Sequence, residues 1–216
     1  MWTLALSSLE AFEKLHAEFS TRGTYVRSLT GTGAEVSSPP EGSGLPSLIF
    51  FSGESLQFRQ IISWAHKTWF PSTLIATGLA EDCVPTSQAS PFLFTPATCL
   101  RSAGRLDFAM DPVLYEEISF SPEIQRILSS SLNQDPAGLA KHQLFTSPRV
   151  LKKDSDREWV FENLKCQSWD QQSGELLLAS QRLGLSCGCF YVLKSASEPL
   201  ETLVESWRSL LRTLGF

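Results

Sequence analysis

The chain has 216 residues, 42% of them hydrophobic and 19% charged, with 14 Phe and 6 Trp. That is enough apolar material to bury the core of one generous domain, and it excludes an intrinsically disordered chain. A net charge of −5, from 18 Lys and Arg against 23 Asp and Glu, with no basic stripe able to neutralise several phosphates of a duplex, argues against nucleic acid as a partner.

Trp2–Leu6 reads as a strand, and Ser7-Ser8-Leu9-Glu10 has capping-box spacing that opens a helix to about Phe19. Tyr25–Leu29 is a second strand. Residues 30–46, rich in Gly, Ser and Pro, are expected to form a flexible surface loop. Ser47–Phe51 is an apolar strand of the kind buried on both faces. A helix over Leu56–Trp69 carries Leu56, Ile61, Ile62, Trp64 and Ala65 on one side, and Ser72–Thr77 is another buried strand followed by Gly78–Asp82. Extended stretches follow at 91–95 and 98–108, then a helix at 122–132, a Gly/Pro break and a short strand at 142–146. Residues 154–164 are helical and 165–169 extended. A helix over 173–183 is closed by Gly184 as its C′ residue, before a strand at 187–193 and an amphipathic helix at 200–214. Alternation of this kind predicts a three-layer α/β/α domain with a central twisted mixed sheet, spanning 1–216 as one unit. Ligands in such sheets sit at the carboxyl ends of strands, here the loops after Leu6, Phe51, Thr77, Trp169 and Leu193.

No apolar run approaches the roughly 20 residues of a membrane span. The opening MWTLALSSLEAF has neither a basic n-region nor an apolar stretch of signal-peptide length, so a cytoplasmic location is expected. Cys83, Cys99, Cys166, Cys187 and Cys189 are odd in number. Cys187-Gly-Cys189 is too tight for a CxxC pattern and no His is spaced to join it. Five small buried thiols and no metal site are the expectation. His16, His66 and His142 make no nucleophile or metal pattern. Ser52 sits in no GxSxG elbow, and Gly31-Thr32-Gly33 lacks the continuation of a dinucleotide fingerprint.

Four segments, in order and rough spacing, resemble the nucleoside phosphorylase/nucleosidase superfamily. Thr73–Ala80 is similar to the family's "GlAGGL" turn. Asp170-Gln171-Gln172-Ser173 followed by Arg182-Leu183-Gly184-Leu185 resembles its "DMES" helix. Phe145–Val150 is similar to the segment that packs against the nucleobase, and Ser52–Ser55 stands where the family has a "tGiGp.nA" turn. The compact length looks most like the branches acting on adenine-type nucleosides: methylthioadenosine nucleosidase, futalosine hydrolase and adenosylhopane nucleosidase. The resemblance implies a homodimer or a higher oligomer, a small-molecule nucleoside as ligand and no cofactor.

Cleaving an N-glycosidic bond leaves positive charge on the sugar and negative charge on the departing base, so the site wants an acid, an anion and an activated water. The resemblance places the water base at Glu10, which a helix start would also favour. It places nucleobase and ribose contacts at Gly78, Phe145, Val150, Gln171 and Gln172, and the general acid at Ser195 or Ser197, with Glu198 as the nearby carboxyl. Phe145, Trp169 and Tyr191 are the aromatics able to stack on a base. Three positions depart from the pattern. Gln172 replaces a ribose-binding glutamate, Ser195 or Ser197 an aspartate, and Glu81-Asp82 two glycines. Each removes a charge or a close backbone approach, and two carboxylates at 81–82 would repel a phosphate nucleophile. The implied function is slow or altered hydrolysis of an adenine-type nucleoside. The alternative is a relative that kept the fold, lost the chemistry, and acts in ligand binding or assembly. Lys194 is expected to be a solvated strand end and Asp170 a structural helix cap.

Overall fold

Period-two alternation decides which layer each side chain joins. In the computed structural model, which describes residues 2–6, 8–29, 34–50, 55–69, 71–83, 93–102, 115–132, 143–147, 150–195 and 197–213, the central strands are β1 (Trp2–Leu6), β4 (Ser47–Phe50), β5 (Thr73–Asp82) and β11 (Ser186–Leu193). From them Ala5, Ile49, Leu74, Ala76, Cys187, Cys189 and Tyr191 point to one face, against Ile61, Ile62 and Ala65 of α2 (Ser55–Trp69) and Leu176 and Leu177 of α5 (Ser173–Arg182). Their neighbours Leu4, Leu6, Leu48, Phe50, Ile75, Phe190 and Val192 point to the other face. There they meet Phe12, Leu15 and Phe19 of α1 (Leu9–Ser20), Ile124 and Leu128 of α3 (Pro122–Ser131), and Trp207 and Leu210 of α6 (Pro199–Thr213). The predicted three-layer α/β/α arrangement follows directly from strands that are apolar on both sides.

The remaining strands are β2 (Val26–Leu29), β3 (Glu35–Ser38), β6 (Leu93–Phe94), β7 (Thr98–Ser102), β8 (Tyr115–Ser119), β9 (Gln143–Thr146) and β10 (Ser168–Asp170), with α4 (Asp154–Leu164) between the last two. The sheet runs β2-β3-β4-β1-β5-β10-β9-β7-β8, with β11 paired to β5 and β6 to β11. It is mixed: β4, β1, β5 and β11 are parallel neighbours, whereas β10 meets β5 antiparallel. The ten-residue β5 joins two halves of this sheet. Its residues 73–77 pair with β1, and only past that point do Glu81 and Asp82 pair with Trp169 and Ser168. Gly78 sits at the changeover with φ +146°, a conformation that a side chain would strain. A third core, built from Leu100, Phe145, Val160, Leu164, Cys166 and Trp169, lies under β7, β9 and β10.

Several expectations are corrected. The cap of α1 is Ser8, whose side chain accepts from the Ala11 N–H at 3.1 Å; Ser7 lies outside the described residues. Within the expected loop 30–46, residues 35–38 are a strand pairing with both β2 and β4, because Val36 and Ser37 are buried there; 30–33 lie outside the described residues. The stretch 78–82 is not a turn but continues β5, and β8, charged and exposed, gave no apolar pattern to predict it from. Gly184 does close α5 in the left-handed region, at φ +68°.

Candidate functional site

The carboxyl ends of β1, β5, β10 and β11 leave a concavity of ≈ 80 Å³ lined by Ser8, Leu79, Glu81, Trp169, Asp170, Gln171, Gln172 and Lys194. Three of the five expected strand-end loops, those after Leu6, Trp169 and Leu193, therefore meet with the end of β5. The one after Phe51 lies outside the described residues.

Asp170 organises the floor. Its Oδ2 accepts from the Ser173 N–H (3.0 Å), the Ser173 hydroxyl (2.7 Å) and the Tyr191 hydroxyl (2.9 Å), and the two hydroxyls lie 2.5 Å apart. One carboxylate thus joins the end of β10, the start of α5 and the middle of β11. Burial pushes the Asp170 carboxyl above its ordinary range, opposed by these donors. Burial, then the adjacent Asp170 charge, pushes the Tyr191 phenol well up, which keeps it a neutral donor. The helix start is fastened further: the Gly174 N–H donates to Thr146 Oγ1 at 3.3 Å, and Arg101 forms a charge-assisted pair with Glu175.

Three residues that line the concavity carry a buried side-chain atom without a hydrogen-bond partner: Trp169 Nε1, Asp170 Oδ1 and Gln172 Oε1. Their residues are 2%, 5% and 8% exposed. A buried unpaired group costs about 1–3 kcal/mol, so one donor and two acceptors stand unmet among the lining residues. At the mouth, Lys194 Nζ donates to Glu81 Oε1 at 2.8 Å, while Arg157 of α4 reaches Glu81 Oε2 at 3.6 Å. Lys194, expected to be merely solvated, lines the site, placed there by the pairing of β11 with β5.

The expected site residues divide. Gln172 is buried and Gln171 exposed, and both line the concavity. Gly78 is buried in β5, and Phe145 belongs to the core beneath β9. Val150 is exposed, as are Ser195, Ser197, Glu198 and Glu10, and none of them lines the concavity. Trp169 is the one of the three weighed aromatics that lines it; Tyr191 serves through Asp170. Sequence reasoning missed Ser8, Leu79, the bond from Tyr191 to Asp170 and the Lys194–Glu81 pair. Opposite charges at the ends of two apolar strands were the signal available for that pair. His16 bonds Ser37 through Nδ1 at 2.8 Å on a helix face, and His142 lies outside the described residues. Among the described residues no cluster could hold a metal ion, all five cysteines are buried thiols, and no helix is long and apolar enough to cross a membrane.

No family model and no curated protein matches the sequence. Solved structures do match its architecture. Futalosine hydrolase of Helicobacter pylori superposes with a TM-score of 0.78 at 9% identity, over 98% of this chain and 97% of that one. The methylthioadenosine/S-adenosylhomocysteine nucleosidase of the same organism, crystallised with butyl-thio-DADMe-Immucillin-A, gives 0.74 at 10% identity, over 99% and 95%. A putative methylthioadenosine nucleosidase from Weissella paramesenteroides gives 0.72 at 10% identity, over 99% and 96%. The chain shares the fold of these nucleosidases, and at these identities the likeness carries the architecture alone.

Proposed function

We propose that this chain is a nucleosidase-like protein that holds an adenine-type nucleoside at the strand-end concavity and hydrolyses its N-glycosidic bond only slowly. The observation that carries the reading is that three residues lining the concavity, Trp169, Asp170 and Gln172, each hold a buried polar atom without a partner. A hydroxyl-rich sugar with a heterocyclic base supplies both the donors and the acceptor they lack.

Slowness follows from where charge is missing. Gln172 can bond a sugar hydroxyl but cannot offset the positive charge that develops on the ring. Removing one such electrostatic stabiliser costs about 10²–10³ in rate. Glu10 and Glu198 are exposed and do not line the concavity, and the serines at 195 and 197 are poor proton donors to a departing base. Of the two carboxylates that do line it, Asp170 is committed to Ser173 and Tyr191. Glu81 is left to activate water, with Oε1 already engaged by Lys194. That engagement favours a second reading, binding without turnover.

Calorimetric titration with adenosine and methylthioadenosine, paired with chromatography for free adenine over hours, tests both. The expected result is saturable binding with slow adenine release, and affinity weakened about tenfold by Gln172→Ala. Binding with no adenine at all selects the second reading; no binding of either nucleoside overturns the proposal.

A further inference from the structure

Helix α5 is capped from outside its own cap residue. Gln172 stands at the N-cap, and its backbone carbonyl accepts the first helical bond, from the Leu176 N–H at 3.0 Å, but its side chain caps nothing. A cap side chain ordinarily accepts from the second or third amide of its helix, and Ser, Thr, Asp and Asn do so best. Here the sheet supplies the acceptors. The Ser173 N–H, first of the helix, donates to Asp170 Oδ2 at 3.0 Å, and the Gly174 N–H, the second, donates to Thr146 Oγ1 at 3.3 Å. Asp170 and Thr146 stand opposite each other at the ends of the parallel strands β10 and β9. Gly174 lets the turn settle directly on Thr146, since a Cβ there would overlap Thr146 Cγ2. Gln172 is thereby released from capping: it lines the concavity, is 8% exposed, and its Oε1 has no partner.

We infer that Thr146 is a positioning residue: by accepting the Gly174 N–H it takes the amide that the Gln172 side chain would otherwise cap, and so keeps Gln172 for the ligand. The inference rests on the nucleoside reading above, through Gln172, and adds the residue that holds Gln172 ready. The two acceptors compete locally, because an N-cap side chain reaches the second amide of its helix. A buried amide left without an acceptor is costly enough to draw a nearby unpartnered oxygen onto it. Removing the Thr146 hydroxyl therefore gives Gln172 Oε1 a partner on the helix and withdraws it from the concavity. Asp170 and the Arg101–Glu175 pair still fasten the turn in that variant.

The test is a double-mutant cycle on the whole protein, combining Gln172→Ala with Thr146→Val, which keeps the shape and removes the hydroxyl. Adenosine affinity by calorimetric titration and melting temperature are read for each variant. Thr146→Val should weaken adenosine about tenfold, as much as Gln172→Ala does, and the double variant should bind no worse than either. Thr146→Ser restores the hydroxyl without the methyl, and should bring affinity back to within about twofold of the wild type, a rescue that lost packing would not give. Thr146→Val should lower the melting temperature by less than about 2 °C while Gln172 can replace the cap, and by about 4 °C or more in the Gln172→Ala background. Unchanged affinity in Thr146→Val, affinity losses that add in the double variant, or equal melting shifts in the two backgrounds overturn the inference, while adenosine binding by the wild type spares the nucleoside reading. If the wild type binds no adenosine the nucleoside reading falls; equal melting shifts then bring the inference down with it, and unequal ones leave the displaced cap standing.

Discussion

The floor of the concavity and its outer rim are built of different material. At the floor, Asp170, Ser173 and Tyr191 are buried, come from three elements and satisfy one another. On the outer rim, Glu10, Ser195, Ser197 and Glu198 stand exposed. The floor binds helix α5 to the sheet, so a change there strands buried donors. The rim carries no packing, so its residues are free to depart from a reacting set without harm to the fold. The rim residues can therefore change without disturbing the architecture that the floor fastens.

The largest effect that tests this contrast is expected at Asp170. Asp170→Ala strands the Ser173 amide and leaves the Ser173 and Tyr191 hydroxyls without their shared acceptor, and is expected to cost about 3 kcal/mol in chemical denaturation. A loss under about 1 kcal/mol would show that the floor does not fasten the helix. The same site predicts a pH dependence. Because burial raises the folded-state value of the Asp170 carboxyl, the native state holds its proton more tightly than the unfolded chain does. Its contribution is full below the unfolded value of about 4 and drains away as pH rises through the folded value. Wild-type stability minus that of Asp170→Asn should fall as pH climbs through that window, and a difference that grows with pH would reverse the assignment.

A smaller effect is expected one turn on. An alanine at Gly174 would by helix propensity add about 1 kcal/mol. Its Cβ, however, would overlap Thr146 Cγ2 and lie 3.1 Å from Arg101 Cγ. Gly174→Ala should therefore lower stability by about 1–3 kcal/mol in thermal unfolding, the cost of overpacking. A gain instead would mean that α5 rides loosely on β7 and β9, and the contrast between floor and rim would blur.

What the sequence makes legible follows the same division. Strands such as Leu48-Ile49-Phe50 and Cys189–Leu193 are apolar at consecutive positions, which announces burial on both faces and hence the three layers. The Asp170–Ser173 helix start and the Gly184 close are local signals, readable within a few residues. The strand β3 was hidden because only Val36 among its four residues is apolar, and β8 because only Ile118 of its five is buried. The site was harder. Lys194 meets Glu81 because β11 pairs with β5, and Tyr191 meets Asp170 because β11 and β10 both pair with β5, which joins residues 113 and 21 apart in sequence. Spacing along the chain contains no trace of which side of β5 each strand joins.

The smallest effect is expected at the rim, and there the comparison is sharpest. Glu10 occupies the first turn of α1, where a carboxylate favourably faces the helix dipole. It is exposed and two residues beyond Ser8, the member of that segment that lines the concavity. Glu10→Gln keeps the shape and removes the charge, so stability should move by no more than about 0.5 kcal/mol. Nucleoside affinity and adenine release, read in the same titration and chromatography, should change by less than about twofold, because a group that does not reach the ligand cannot stabilise its transition state. A drop of about tenfold or more in adenine release, at unchanged affinity, would assign to Glu10 an interaction made in the transition state alone. The rim would then belong to the reacting set, and the slow step would lie in bringing that helix start down onto the floor.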